Sequence, residues 1–253
     1  MPKKSNFKWW DESWNPMTGC SKISAGCANC YAESISYQQK ARGIEKYQNG
    51  FEPTLHRKLL DEPTHWRNPR RIFVCSMSDL FYSKVPFKFI DMVMDVIKST
   101  PRHTYCFLTK RAARMEEYFK TKPIPANVWL GVTVENINTK SRIDNLRNLP
   151  AMVKFLSCEP LLESLGTINL QGIDWVIVGG ESGNRARPMK EKWVHSIKKQ
   201  CDERNIAFFF KQWGTLGCGE VMRSVETNGN ELNGEIYQAM PEVDVMAANG
   251  LLF

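Results

Sequence analysis

The chain has 253 residues, 42% of them hydrophobic and 24% charged, enough to bury a full core, which excludes a disordered tract, collagen and a coiled coil. No run approaches the eighteen apolar residues of a membrane helix and the first residues lack the apolar stretch of a secretory signal, so a cytoplasmic protein without a membrane partner is expected. Residues 215–253 hold one basic and six acidic residues, which leaves 33 basic and 21 acidic side chains, +12, on residues 1–214 of a chain whose net charge is +7; such a basic body suits a polyanionic partner and also serves solubility.

In chain order, the aromatic run 7–10 is read as a first strand. Residues 19–31 (GCSKISAGCANCY) follow, a loop without helical or strand period, and residues 32–41 are expected to form a first helix. Residues 43–70 carry Gly43, Gly50, Pro53, Pro63 and Pro69, with eight basic residues between Lys40 and Arg71, and read as a long, partly helical insertion. From residue 72 a plan repeats: short apolar runs at 72–76, 104–108, 128–132, 153–157, 174–178 and 206–210, starting 21 to 32 residues apart. Continuous apolar character marks strands covered on both faces, and stretches of helical period lie between them. Pro86 opens one such stretch, with polar positions 88, 91, 95 and 98 on a single stripe; others lie at 139–149 and 190–204. The fold expected is α/β, a partial (β/α) barrel of about six to seven parallel βα units, spanning 1–214 and followed by an acidic extension, 215–253, that forms a lid, an extra edge or disorder.

Eight cysteines exceed what packing requires, and a reducing compartment argues against a disulfide framework. Cys75, Cys106, Cys158 and Cys201 sit in apolar runs, as small buried hydrophobes do. Cys20, Cys27 and Cys30 lie in the loop. A structural zinc site needs a second Cys or His pair, and the four histidines are scattered; three thiolates on a four-iron, four-sulfur cluster leave one iron open to a small molecule. Both metals stay open on spacing alone, as does no metal.

Barrel enzymes place function where strands end. The polar residues at those ends are Ser76, Ser78 and Asp79; Lys110 and Arg111; Thr133 and Glu135; Ser157 and Glu159; Glu181; and Lys211, Gln212 and Trp213. Capping and solvated loops account for part of any such set.

Together, Trp14-Asn15-Pro16, Gly19-Cys20, Gly26-Cys27, Cys30-Tyr31-Ala32-Glu33, FLTKR at 107–111, WLGVTVEN at 129–136, SCEPLL at 157–162, GGESG at 179–183 and FKQWG at 210–214 resemble the phage- and prophage-associated three-cysteine-motif family. The resemblance runs from residue 9 to about 241, with ELNG at 231–234 and AMP at 239–241 similar to that family's ending. The family is similar to radical S-adenosylmethionine proteins, the DNA-repairing spore photoproduct lyases among them. The resemblance implies a radical-S-adenosylmethionine-like partial barrel in a bacterial host cell or encoded by a phage. It implies a [4Fe-4S] cluster on Cys20, Cys27 and Cys30, S-adenosylmethionine on its open iron, and a separate electron-donor protein. Tyr31 would pack near the adenine; Ser76, Ser78 and Asp79 would receive the methionine ammonium; Lys110 or Arg111 would pair its carboxylate. Thr133, Glu135, Ser157 and Glu159 would hold ribose or substrate. One departure is that Cys75-Ser76-Met77-Ser78-Asp79 stands where the family's relatives carry a glycine-rich motif.

Glu181, Arg185, Arg187, Lys211, Gln212 and Trp213 are expected to meet an anionic, planar substrate, a nucleotide or nucleic acid, by pairing and stacking. The rival from a different class is a zinc-stabilised nucleic-acid-binding module without catalysis. There the basic insertion contacts phosphate, and Tyr47, Phe51 and Trp66 stack on bases.

Overall fold

A computed structural model describes residues 7–219 and 221–242. Seven strands form one sheet: β1 (Glu12–Trp14), β4 (Arg71–Val74), β5 (Thr104–Thr109), β6 (Val128–Thr133), β7 (Val153–Cys158), β8 (Trp175–Gly179) and β9 (Ala207–Gln212). They lie in the order of the chain, and every neighbouring pair is parallel. When each strand is laid beside its predecessor by a right-handed crossover, all connections return over the same face. The sheet then curls around its other face, and the result is an α/β partial barrel.

The period-2 alternation of the strands divides the apolar residues between two cores. Ile72, Tyr105, Leu130, Leu156, Val176 and Phe208 face outward and pack with α2 (Phe87–Ser99), α3 (Ala112–Phe119), α4 (Arg142–Arg147) and α5 (Glu191–Asp202). Phe73, Cys106, Trp129, Phe155, Ile177 and Phe209, one position along, face inward and form a second core in the barrel lumen. Gly131 belongs to that inner layer because the Phe155 ring crosses it; a Cβ there would lie 2.3 Å from the ring.

The aromatic run at 7–10 is not a strand. The first strand is Glu12–Trp14, and Trp9 turns into the lumen, with its ring centroid 5.0 Å from Phe73, 5.6 Å from Phe155 and 5.5 Å from Trp175. Two large consecutive rings fill an unclosed barrel better than they alternate along an edge. Helix α3 adds an element to the sequence expectation; Ala112, Met115, Tyr118 and Phe119, three and four apart, are its buried face. No helix separates β7 from β8; residues 159–174 cross as a loop.

The insertion at 43–70 is not helical beyond single 3-10 turns at Glu45–Tyr47, Arg57–Leu59 and Glu62–His65. Its β3 (Thr54–Leu55) pairs antiparallel with β2 (Met17–Thr18), and the Trp14 indole Nε1 donates to Leu59 O at 2.8 Å. Glycines and prolines at this density leave no room for a longer helix. After β9 the chain turns back along the open edge. Phe210 N donates to Tyr237 O at 2.7 Å and Ala239 N to Phe208 O at 3.1 Å, so the described part of the extension is an edge cover. Among the described residues no helix is long and apolar enough to cross a membrane.

Candidate functional site

The cysteine loop lies across the carboxyl ends of the strands. It leaves β2 at Gly19, whose φ of +79° and whose missing Cβ, which would fall 2.4 Å from Glu52 O, admit only glycine. A single 3-10 turn carries Ala25–Cys27, and Cys30 caps α1 (Tyr31–Ala41). Cys20, Cys27 and Cys30 are free, half-buried thiols, whereas Cys75, Cys106, Cys158 and Cys201 are buried. Burial pushes the Cys75 thiol up to about 12. It pushes Cys20 up to about 11, helped by the Asp79 charge and partly opposed by Arg111. Cys27 differs: burial would raise it, but the Lys110 charge and hydrogen bonds from the loop bring it below the ordinary thiol value.

Three carboxylate–arginine pairs pin this loop from below. Asp79, just after β4, accepts from Thr109 Oγ1 at 2.7 Å, Lys110 N at 3.2 Å and Arg111 Nη1 at 2.9 Å. Arg111 continues to Cys20 Sγ at 3.4 Å and to Ser21 O at 2.9 Å. Glu135, after β6 and 0% exposed, accepts from Arg142 Nη1 at 2.7 Å and from Gly26 N at 3.3 Å. Glu181, after β8, accepts from Arg187 Nη2 at 2.5 Å and from Asn29 Nδ2 at 3.0 Å, while Arg187 Nη2 also reaches Ala25 O at 2.9 Å. Charge-assisted bonds at Cys20–Ser21, at Gly26 and at Ala25–Asn29 thus hold both ends and the middle of the loop.

This arrangement redistributes the strand-end residues. Asp79 and Arg111, expected to meet the two ends of a methionine group, are spent on each other and on the loop. Glu135, expected at a ribose or substrate, is under Gly26. Glu181 and Arg187, expected at an anionic substrate, pair with each other, and Arg185 gives its carbonyl to Asn29 at 2.8 Å. Trp213 packs on Phe210 with its Nε1 on Glu231 O at 2.8 Å. Asn29 and Arg142 did not stand out in the sequence, and Asn15 did so only as part of the Trp14-Asn15-Pro16 motif, with no role at the site; its Oδ1 accepts from Met77 N at 3.0 Å. Asn15 directly follows β1, so the strand-end rule would have found it once that strand was placed correctly.

A cavity of about 680 Å³ opens between the loop and the barrel mouth. Cys20, Cys27, Cys30, Tyr31, Ser76 and Lys110 line it, together with Thr133, Ser157, Glu159, Lys211 and Gln212 at the later strand ends and with Trp9 and Trp10. Tyr31 donates its hydroxyl to Ser76 O at 2.6 Å, and Ser78 donates to Met17 O at 3.0 Å. Ser157 Oγ lies 3.3 Å from Glu159 Oε1, and Glu159 pairs with Lys211 at 2.8 Å. The Lys110 ammonium has no ion-pair partner among the described residues. Also among them, no three His, Cys, Asp or Glu side chains close around one point as a single metal ion requires.

A family model described as "Protein of unknown function (DUF5131)" matches residues 4–241. No curated protein matches the chain. Among solved structures the chain is similar to one described as "Spore photoproduct lyase complexed with dinucleoside spore photoproduct", at 10% identity and a TM-score of 0.37, over 74% of this chain and 59% of that one. The chain therefore spans about three fifths of the length of that lyase chain.

Proposed function

We propose that this chain, which belongs to the DUF5131 family, is an iron–sulfur enzyme of the radical S-adenosylmethionine kind acting on a nucleotide or nucleic acid. The observation that carries the reading is the loop: three half-buried thiols, pinned by three arginine pairs, over one wall of a 680 Å³ cavity. Cys20, Cys27 and Cys30 would hold the cluster. With a separate electron-donor protein, cluster and S-adenosylmethionine together would supply a 5′-deoxyadenosyl radical that abstracts hydrogen from the substrate.

The chain's own residues position and shield. Lys110, unpaired and beside Cys27, is the cation available to a cofactor carboxylate, and it favours the Cys27 thiolate. Ser76 also lines the cavity, its carbonyl taken by Tyr31 and its hydroxyl 3.2 Å from Asn15 Nδ2, while Asn15 Oδ1 accepts from Met77 N, so this corner is held in shape by its own bonds. The aromatic plug of Trp9, Phe73, Phe155 and Trp175 seals the lumen beneath and keeps water from entering there. Metal content tests the reading: anaerobically prepared protein should be brown and carry about four irons with matching acid-labile sulfide. A colourless protein with one zinc would overturn it.

The insertion supports a polyanionic substrate unevenly. Arg57 and Lys58 border a groove of about 420 Å³ with Lys46 and His56. Arg70 is instead paired with Glu12 at 2.5 Å, and Arg71 donates to Trp9 O at 2.8 Å, at the opposite end of β4 from the cavity. Reversing Arg57 and Lys58 to glutamate should lower the salt slope of nucleic-acid binding by about 2, since each phosphate contact contributes about 0.9. Reversing Arg70 and Arg71 should lower stability instead. A wild type whose binding to DNA and RNA ignores salt would exclude the polymer.

A further inference from the structure

The part of the cavity wall at the ends of β7 and β9, with Trp10, carries its own recognition chemistry. The pairing of β8 with β9 shifts register at Val178/Gly179, and two consecutive residues of β9, Lys211 and Gln212, both reach the cavity wall. An irregularity of this kind re-aims side chains that strict alternation would send to opposite faces. Gln212 is 5% exposed, and its Nε2 donates to Gly180 O at 2.9 Å. That bond fixes which end of the amide is which. Its Oε1 is buried and has no hydrogen-bond partner among the described residues. A buried acceptor left in this state is a demand for a donor.

Lys211 supplies the complementary group. Its Nζ lies 2.8 Å from Glu159 Oε2 and 5.4 Å from the centroid of the Trp10 ring. An ammonium has three protons, so it retains capacity for an acceptor. Trp10 brings an indole to the same wall, a surface on which flat rings stack. Because Glu159 already neutralises Lys211, this wall does not call for a phosphate; it calls for a neutral group.

We infer that Gln212, Lys211 and Trp10 form a subsite for a flat, neutral ring carrying N–H and C=O on one edge, the imide or lactam edge of uracil, thymine or guanine. Adenine offers N–H without a carbonyl, and ribose is not flat. The inference rests on the nucleotide reading for its setting, but its test needs neither cluster nor turnover. Uridine, 3-methyluridine and adenosine are titrated into the anaerobically purified protein by calorimetry. Trinucleotides with central uridine or 3-methyluridine serve as a second arm. Uridine should bind at least tenfold tighter than 3-methyluridine, whose methyl replaces the N–H, and tighter than adenosine. Gln212→Met should bring uridine down to the 3-methyluridine level. Tighter binding of the trinucleotide assigns the base to a strand; equal binding assigns it to a free nucleoside.

Equal affinity for uridine and 3-methyluridine in both arms, or no binding by any probe, overturns the subsite. The wild-type comparison stands even if Gln212→Met fails to fold. Iron measured in the same samples separates the two ideas. Iron-replete protein without the uridine preference sinks the subsite alone, and the preference in protein that takes up no iron sinks the cluster alone.

Discussion

Alanine at Cys20, Cys27 or Cys30 should abolish uptake of iron and acid-labile sulfide, while alanine at Cys106 or Cys158 should leave both intact. Each loop thiolate would hold a different iron, so losing one leaves two ligands for the whole cluster. The control thiols cannot substitute. Cys106 lies in the lumen core between Trp129 and Phe73, and Cys158 lies in the outer core, and burial raises both far above the range in which a thiol ionises. Their replacement removes one buried sulfur each, a packing loss of about 1 to 2 kcal/mol. Iron and sulfide analysis of the five variants decides it. Retention of iron by all three loop variants, or equal loss across both groups, would show that the loop is not the ligand set.

Glu135→Leu should be the most destabilising change at the rim. The carboxylate is fully buried, and its removal leaves the Arg142 guanidinium, 11% exposed, with only Thr133 O at 2.7 Å. Stranding one member of a buried pair costs about 3 to 5 kcal/mol, a large part of the roughly 5 to 15 kcal/mol that holds a domain together. The melting temperature should fall by about 6 to 20 °C. Adding Arg142→Met removes the stranded charge and should recover most of that loss. Iron uptake should nevertheless stay impaired in the double variant, because Gly26 N, 3.3 Å from Glu135 Oε1, has lost its acceptor. A double variant as unstable as the single one would mean that a stranded charge is not the source of the loss, and one that takes up iron normally would mean that the pair does not hold the loop.

The later strands were legible because each is a continuous apolar run; all six begin within one residue of their expected start. β1 was not, since Glu-Ser-Trp carries no such signal while the neighbouring Phe-Lys-Trp-Trp does. Rings that plug a lumen and rings that line a strand look alike in one dimension. The loop cysteines were legible by composition, and the strand ends by position. What could not be read was which strand-end charges face a ligand. Asp79 and Arg111 are 32 residues apart and Asn29 and Glu181 152 apart; only the curl of the sheet brings them beneath one loop. A carboxylate that reads as a free site residue is then found neutralised, and Lys110 and Gln212 remain as the groups with chemistry to spare.

The most direct test of the radical reading is cofactor cleavage. Iron-replete protein under dithionite, given S-adenosylmethionine without substrate, should slowly accumulate 5′-deoxyadenosine and methionine by mass spectrometry, and the Cys27→Ala variant should form neither. Iron-replete wild type that neither binds nor cleaves S-adenosylmethionine would contradict it.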